Sequence, residues 1–120
     1  TRLFCMLYLP AFGPDAVAAA HRQFATDYEL PLARLRQPHA NDRDPDRRLR
    51  IGYLSPNLVE HSVACFLEPV IAHHDRARVE VYCYSDAPHA DDVSRRLAAA
   101  SDHWVPCAGW PDARLAERIR

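Results

Sequence analysis

From Leu49 to Arg120 the sequence alternates short extended runs with helical stripes, and this order limits the possible folds more than any other feature. Leu49-Arg50-Ile51-Gly52-Tyr53-Leu54-Ser55 reads as a buried strand, and Ser55 to His61 as a loop. A helix is expected to begin near Ser62, a plausible N-cap. Its apolar residues Val63, Phe66, Leu67, Val70 and Ile71 fall at i, i+3, i+4, i+7 and i+8, one face of a helix. Pro69 lies inside that helix and removes a backbone donor, so a kink is expected there. Arg78 to Ser85 alternates as a second strand. Asp91 to Ala100 reads as a helix with Val93, Leu97 and Ala100 inward. His103 to Cys107 is a short extended piece, and a last helix starts at Pro111 with Leu115 and Ile119 one turn apart. Strand and helix in alternation imply an α/β fold: a parallel sheet with helices on its faces. A further strand would follow the last helix, and the sequence lacks an initiator Met. Both ends are therefore expected to be cuts in a longer protein.

Upstream the pattern differs. Leu3 to Tyr8 is an apolar run that reads as the end of a buried element. Gly13-Pro14-Asp15 has the chemistry of a helix start, with Pro in the first turn and an acid after it. Val17, His21, Phe24 and Tyr28 form one helical stripe, and Pro31 is expected to end that helix. Arg36 to Arg48 has prolines, mixed charge and no apolar period, so it reads as a solvated connection. The expected organisation is a helical segment over 1–35, a polar linker over 36–48, and an α/β region over 49–120.

Composition excludes several classes. The net charge of −1 argues against a nucleic-acid binder, which would show a basic excess. No apolar run has the length of a membrane span, and residues 1–10 lack the features of a signal peptide. The four cysteines, Cys5, Cys65, Cys83 and Cys107, are widely spaced, which speaks against a disulfide framework or a zinc site. Cys65 and Cys83 fall on apolar faces and read as small hydrophobes. A reducing cytoplasm fits this usage.

In open α/β sheets, ligands gather at the carboxyl ends of the strands. The loop after the first strand carries Ser55, Asn57, Glu60 and His61, and it has no glycine, so it is neither a dinucleotide fingerprint nor a P-loop. An imidazole at a helix N-terminus tends to stay neutral and can then accept a proton or position a hydroxyl. A loop histidine bonded to backbone is the plainer reading of His61 from position alone. His73-His74 are adjacent on a helix, point in different directions and make a poor chelate. Tyr82 and Tyr84 share one strand face and read as core under a helix.

Several blocks occur in order at a recognisable spacing. They are Arg48 to Pro56, His61-Ser62-Val63-Ala64, Phe66-Leu67-Glu68-Pro69, His73-His74-Asp75 and Glu80 to Ser85. Together they resemble the start of the catalytic region of the O-linked N-acetylglucosamine transferases, a pattern shared by SPINDLY-like proteins and bacterial relatives. More weakly, Met6-Leu7-Tyr8 and Pro14 to Tyr28 are similar to the segment that joins the family's tetratricopeptide repeats to that region.

The resemblance implies an incomplete Rossmann-like N-terminal lobe of a GT-B glycosyltransferase, preceded by a helical linker segment. It implies inverting, metal-independent transfer of N-acetylglucosamine from UDP-N-acetylglucosamine to Ser or Thr hydroxyls of acceptor proteins, without a cofactor. The nucleotide would be held mainly by the C-terminal lobe, so no nucleotide-binding residue is assigned here. His61 matches the family histidine near donor sugar and acceptor, as hydroxyl positioner or proton relay. Asn57 stands where the family usually has Asp. An amide cannot take a proton at ordinary pH, though it still accepts and donates hydrogen bonds. Two alternatives stay open: a GDP-fucose-dependent transferase of the SPINDLY-like branch, and a non-catalytic scaffold.

Overall fold

The computed structural model describes residues 2–120, which divide into two compact units, one ending at Asn41 and the other running from Asp42 to Arg120. The division falls inside the polar stretch.

The first unit holds two α-helices, α1 (Arg2–Met6) and α2 (Pro14–Phe24). Gly13 and Pro14 start α2, with Asp15 in the first turn and His21 and Arg22 in the last, as the helix dipole favours. The α geometry then changes instead of stopping at Pro31. Ala25–Glu29 forms a π turn, in which Leu30 N–H donates to Ala25 O, and Leu30–Leu35 follows as a tighter 3-10 helix. Pro31 sits in the first turn of that 3-10 segment, where its missing donor leaves no gap. The Leu3–Tyr8 run is also mostly exposed, not a buried element. Phe4, Leu7 and Tyr8 are exposed, and Met6 alone among the described residues of this unit is buried. Short helices present too little surface to enclose these rings, which instead pair among themselves, Phe4 with Tyr8 at 5.1 Å and Phe24 with Tyr28 at 4.8 Å between centroids.

The second unit is the α/β region. Its elements are β1 (Leu49–Ser55), α3 (Ser62–Ala72), β2 (Val79–Ser85), α4 (Asp92–Ala100), β3 (His103–Pro106) and α5 (Asp112–Ile119). The strands form one parallel sheet in the order β1-β2-β3. Leu49 pairs with Val79 and Ser55 with Ser85, while Tyr82 pairs with His103 and Ser85 with Pro106. All three strands therefore finish at one edge.

β2 is central and packs on both faces. Val81 and Cys83 point to one side, into a core with Ala64 and Ile71 of α3 and Leu97 of α4. Val93 and Ala100 of α4 join the same core. Tyr84 points to the other side, against Val105, Cys107, Trp110 and Leu115 of α5. Tyr84 is thus core under a helix, and Tyr82 stacks on His103 at 4.1 Å. β1 differs from the expected buried strand. As an edge strand it covers one side only, with Leu49 and Leu54 exposed.

α3 also corrects the expectation. Ala64, Leu67 and Ile71 face the core, whereas Val63, Phe66 and Val70 face outward, Phe66 being 78% exposed. Ala64 is small enough for the helix to lie close to the sheet, and this selects the stripe one residue along. Cys65 turns outward with the exposed stripe, while Cys83 and Cys107 are buried and all four thiols are free. Burial pushes the Cys83 thiol up from its ordinary value.

A charged knot closes the opposite end of the strands. Asp102 accepts from Val81 N–H at 2.7 Å and from Arg76 Nη1 at 2.7 Å. Arg76 also donates to the carbonyls of Ile71 and Ala100, satisfying the last turns of α3 and α4 together.

Candidate functional site

The seven residues from Ser55 to His61 leave β1 at the carboxyl edge of the sheet and enter α3. Each part of this loop has its own anchor. Ser55 Oγ accepts the Asn57 backbone N–H at 3.0 Å, a hydroxyl-closed turn. Leu58 is fully buried among Ala64, Ile71, Val81, Cys83 and Leu97. Glu60 N–H donates to Asp91 Oδ2 at 2.6 Å. The neighbouring strands are tied in as well, because Asp86 N–H donates to Ser55 O at 3.1 Å and Cys107 N–H to Ser85 O at 2.8 Å.

His61 is itself the N-cap of α3, in place of the expected Ser62. Its backbone is extended, at φ −155° and ψ 155°, and its Nδ1 accepts the Val63 N–H at 3.1 Å. The imidazole so does the work usually given to a short oxygen side chain. Asn57 sits four positions earlier, half-buried, and enters the turn through its backbone rather than its amide. The two residues singled out in the sequence therefore share one loop and are held separately.

Asp91 was not evident as part of this site. It caps α4 through a reciprocal pair, with Oδ1 accepting from Ser94 N–H and its own N–H donating to Ser94 Oγ, both at 2.8 Å. Those helix-cap bonds, followed by the bond from Glu60, hold its carboxyl below the usual range. The Asp91-x-x-Ser94 spacing was the available signal, and it foretells the cap but not the bond to Glu60. Leu58 was also missed, since one apolar residue in a polar loop has no period.

A groove of about 260 Å³ opens beside His61 between α3 and α4, lined by Glu60, His61, Cys65, Glu68, Val93 and Arg96 among others. Arg96 grips Glu68 with two bonds of 2.7 and 2.9 Å, which hold the Glu68 carboxyl below its ordinary value and tie the helices together. The adjacent histidines turn to different partners: His73 Nδ1 bonds Pro69 O at 2.8 Å, and His74 Nε2 meets Tyr53 OH at 2.6 Å. No helix among the described residues is long and apolar enough to cross a membrane.

A parallel sheet packed by helices on both faces, with a pinned loop at its carboxyl edge, is a Rossmann-like α/β arrangement, and comparison with known structures assigns it to the lobe of a GT-B glycosyltransferase. The structure superposes on a mutant of the O-GlcNAc transferase of Thermobaculum terrenum with a TM-score of 0.86 and 41% identity, covering 98% of this chain and 22% of that one. Residues 4–120 match glycosyl transferase family 41, and the chain belongs to that family. A relative from Petunia hybrida, named "Probable UDP-N-acetylglucosamine--peptide N-acetylglucosaminyltransferase SPINDLY", is 38% identical over 99% of the chain and 13% of its own length. The UDP-N-acetylglucosamine–peptide N-acetylglucosaminyltransferase of Caenorhabditis elegans is 33% identical over 61% of the chain and 6% of its own length. The chain thus spans about an eighth of the length of the first of these relatives.

Proposed function

We propose that these residues form part of the N-terminal catalytic lobe of a protein O-glycosyltransferase that moves N-acetylglucosamine from UDP-N-acetylglucosamine to Ser or Thr hydroxyls. The observation that carries this reading is the likeness of 98% of the chain to an O-GlcNAc transferase, with His61 fixed at the ligand edge of the sheet. In the reaction the hydroxyl oxygen attacks C1 of the sugar. The C1–O bond to the diphosphate breaks with its electron pair, UDP departs, the anomeric centre inverts, and the hydroxyl proton passes to a base. The step uses no metal. Residues beyond this chain hold the nucleotide, an upstream repeat array of the tetratricopeptide type presents acceptor proteins, and the enzyme works in the cytoplasm. Asn57 cannot be the base, because an amide does not take the proton.

Calorimetric titration of the full-length protein with UDP and with GDP tests the reading. Tight binding of UDP alone is expected. Binding of GDP alone would reassign the donor to a GDP-fucose type, and a folded protein that binds neither nucleotide would be a scaffold.

A further inference from the structure

The N-cap geometry of His61 decides which of its nitrogens can serve a substrate. Nδ1 lies 3.1 Å from the Val63 nitrogen and accepts its N–H. A ring nitrogen that accepts a hydrogen bond offers a lone pair and carries no proton. The single N–H of a neutral imidazole is then on Nε2. The ring is not free to exchange these roles. Turning it would strip the cap from α3, and the preceding residue is already fixed by the bond from Glu60 N–H to Asp91.

We infer that His61 acts in transfer as a hydrogen-bond donor through Nε2–H, keeping that proton throughout, and is not the base that takes the hydroxyl proton. This rests on the proposed function. The group it addresses is a lone-pair oxygen of the substrate, either the acceptor hydroxyl or a phosphate oxygen of the sugar nucleotide. A base role at Nε2 would need the one basic lone pair of the neutral ring to sit there, and the bond from Val63 N–H keeps that pair on Nδ1.

Long-range proton–nitrogen spectra of the histidine rings in the full chain, with His61 assigned by its loss in His61→Ala, read the tautomer directly. The expected result is a protonated Nε2 and a bare Nδ1 coupled to the Val63 amide. A proton on Nδ1 overturns the inference. Kinetics supply a second measurement. His61→Asn can offer an oxygen to Val63 N–H and an N–H outward, yet it cannot act as a base. It is expected to keep transfer within about tenfold of wild type, whereas His61→Ala loses about 10²–10³-fold, the size typical of removing one placed donor. Equal losses in the two variants overturn the inference. Weakened UDP binding in His61→Ala assigns the partner as a phosphate oxygen, and unchanged UDP binding assigns it as the acceptor hydroxyl. A wild-type protein that neither binds UDP nor transfers sugar would defeat the functional reading while leaving the tautomer measurable.

Discussion

Asp91 and Glu60 meet across 2.6 Å, the Oδ2 of one accepting the backbone N–H of the other, so the cap of one helix also holds the loop that enters another. Asp91→Ala removes the acceptor for Glu60 N–H and for Ser94 N–H together. Amide exchange at both positions is expected to quicken, and the urea midpoint to fall. Asp91→Ser should restore protection at Ser94, since Ser caps a helix well, but not at Glu60, which the shorter side chain does not reach. Unchanged exchange at Glu60 in Asp91→Ala would show that the loop is held by other means.

Acid should unfold the second unit through its depressed carboxylates. The Val81 N–H, then the nearby Arg76 guanidinium, holds Asp102 below its ordinary value, and backbone bonds do the same for Asp91. A folded-state value below the unfolded one, about 3.9 for Asp, stabilises fully above that pH. The contribution is lost as pH falls through the lowered value. Urea midpoints measured from about pH 6 to about pH 2 are expected to decline, and Asp102→Asn to flatten the decline. An acid limb of the same slope in that variant would remove Asp102 from the account.

Leu58→Ala is expected to cost about 2–5 kcal/mol, because the side chain is fully buried and the surrounding core can only partly collapse. Phe66→Ser should change stability by no more than about 0.5 kcal/mol, despite the larger apolar group, since its ring lies outside the core. Urea denaturation of both variants checks that Leu58 of the loop lies in the core and that Phe66 of α3 lies outside it, and a reversed ranking would return Phe66 to the inward stripe inferred from spacing.

Gly52 lies under Tyr84, where an added Cβ would stand 3.3 Å from the ring. That ring is buried in a cluster with Val105 and Cys107 and has little room to yield. Gly52→Val is therefore expected to cost about 1–3 kcal/mol by overpacking. A thermal melt as stable as wild type would mean that the ring moves aside.

The α/β region was legible because its signals are local. Strand alternation and the i, i+3, i+4 period placed β1, α3, β2, α4 and β3 close to their observed limits. The face of α3 was less so, because its apolar residues cover an arc wider than the sheet needs and close approach at Ala64 picks the side. The path after Phe24 was misread because Pro31 forbids one bond without saying which neighbouring turn replaces it. At the site, His61 stood out by position and resemblance. Its capping bond depends on the extended backbone at residue 61, and the Asp91–Glu60 bond spans 31 positions, so neither leaves a periodic trace.

The strand order β1-β2-β3 repeats the order of the chain, and each neighbouring pair is joined through one helix. Such a sheet can grow from a ribosome one crossover at a time, since no later strand must wedge between two earlier ones. β2 can zip onto β1 once Ser85 has emerged, and α3 closes over the pair before β3 exists. Until β3 arrives, the outer rim of β2 is bare at Tyr82 to Ser85, the pairing row it will use. A translational pause just after Ser85 would thus expose the nascent lobe at its stickiest, and synthesis of the next twenty-one residues, through Pro106, would seal it.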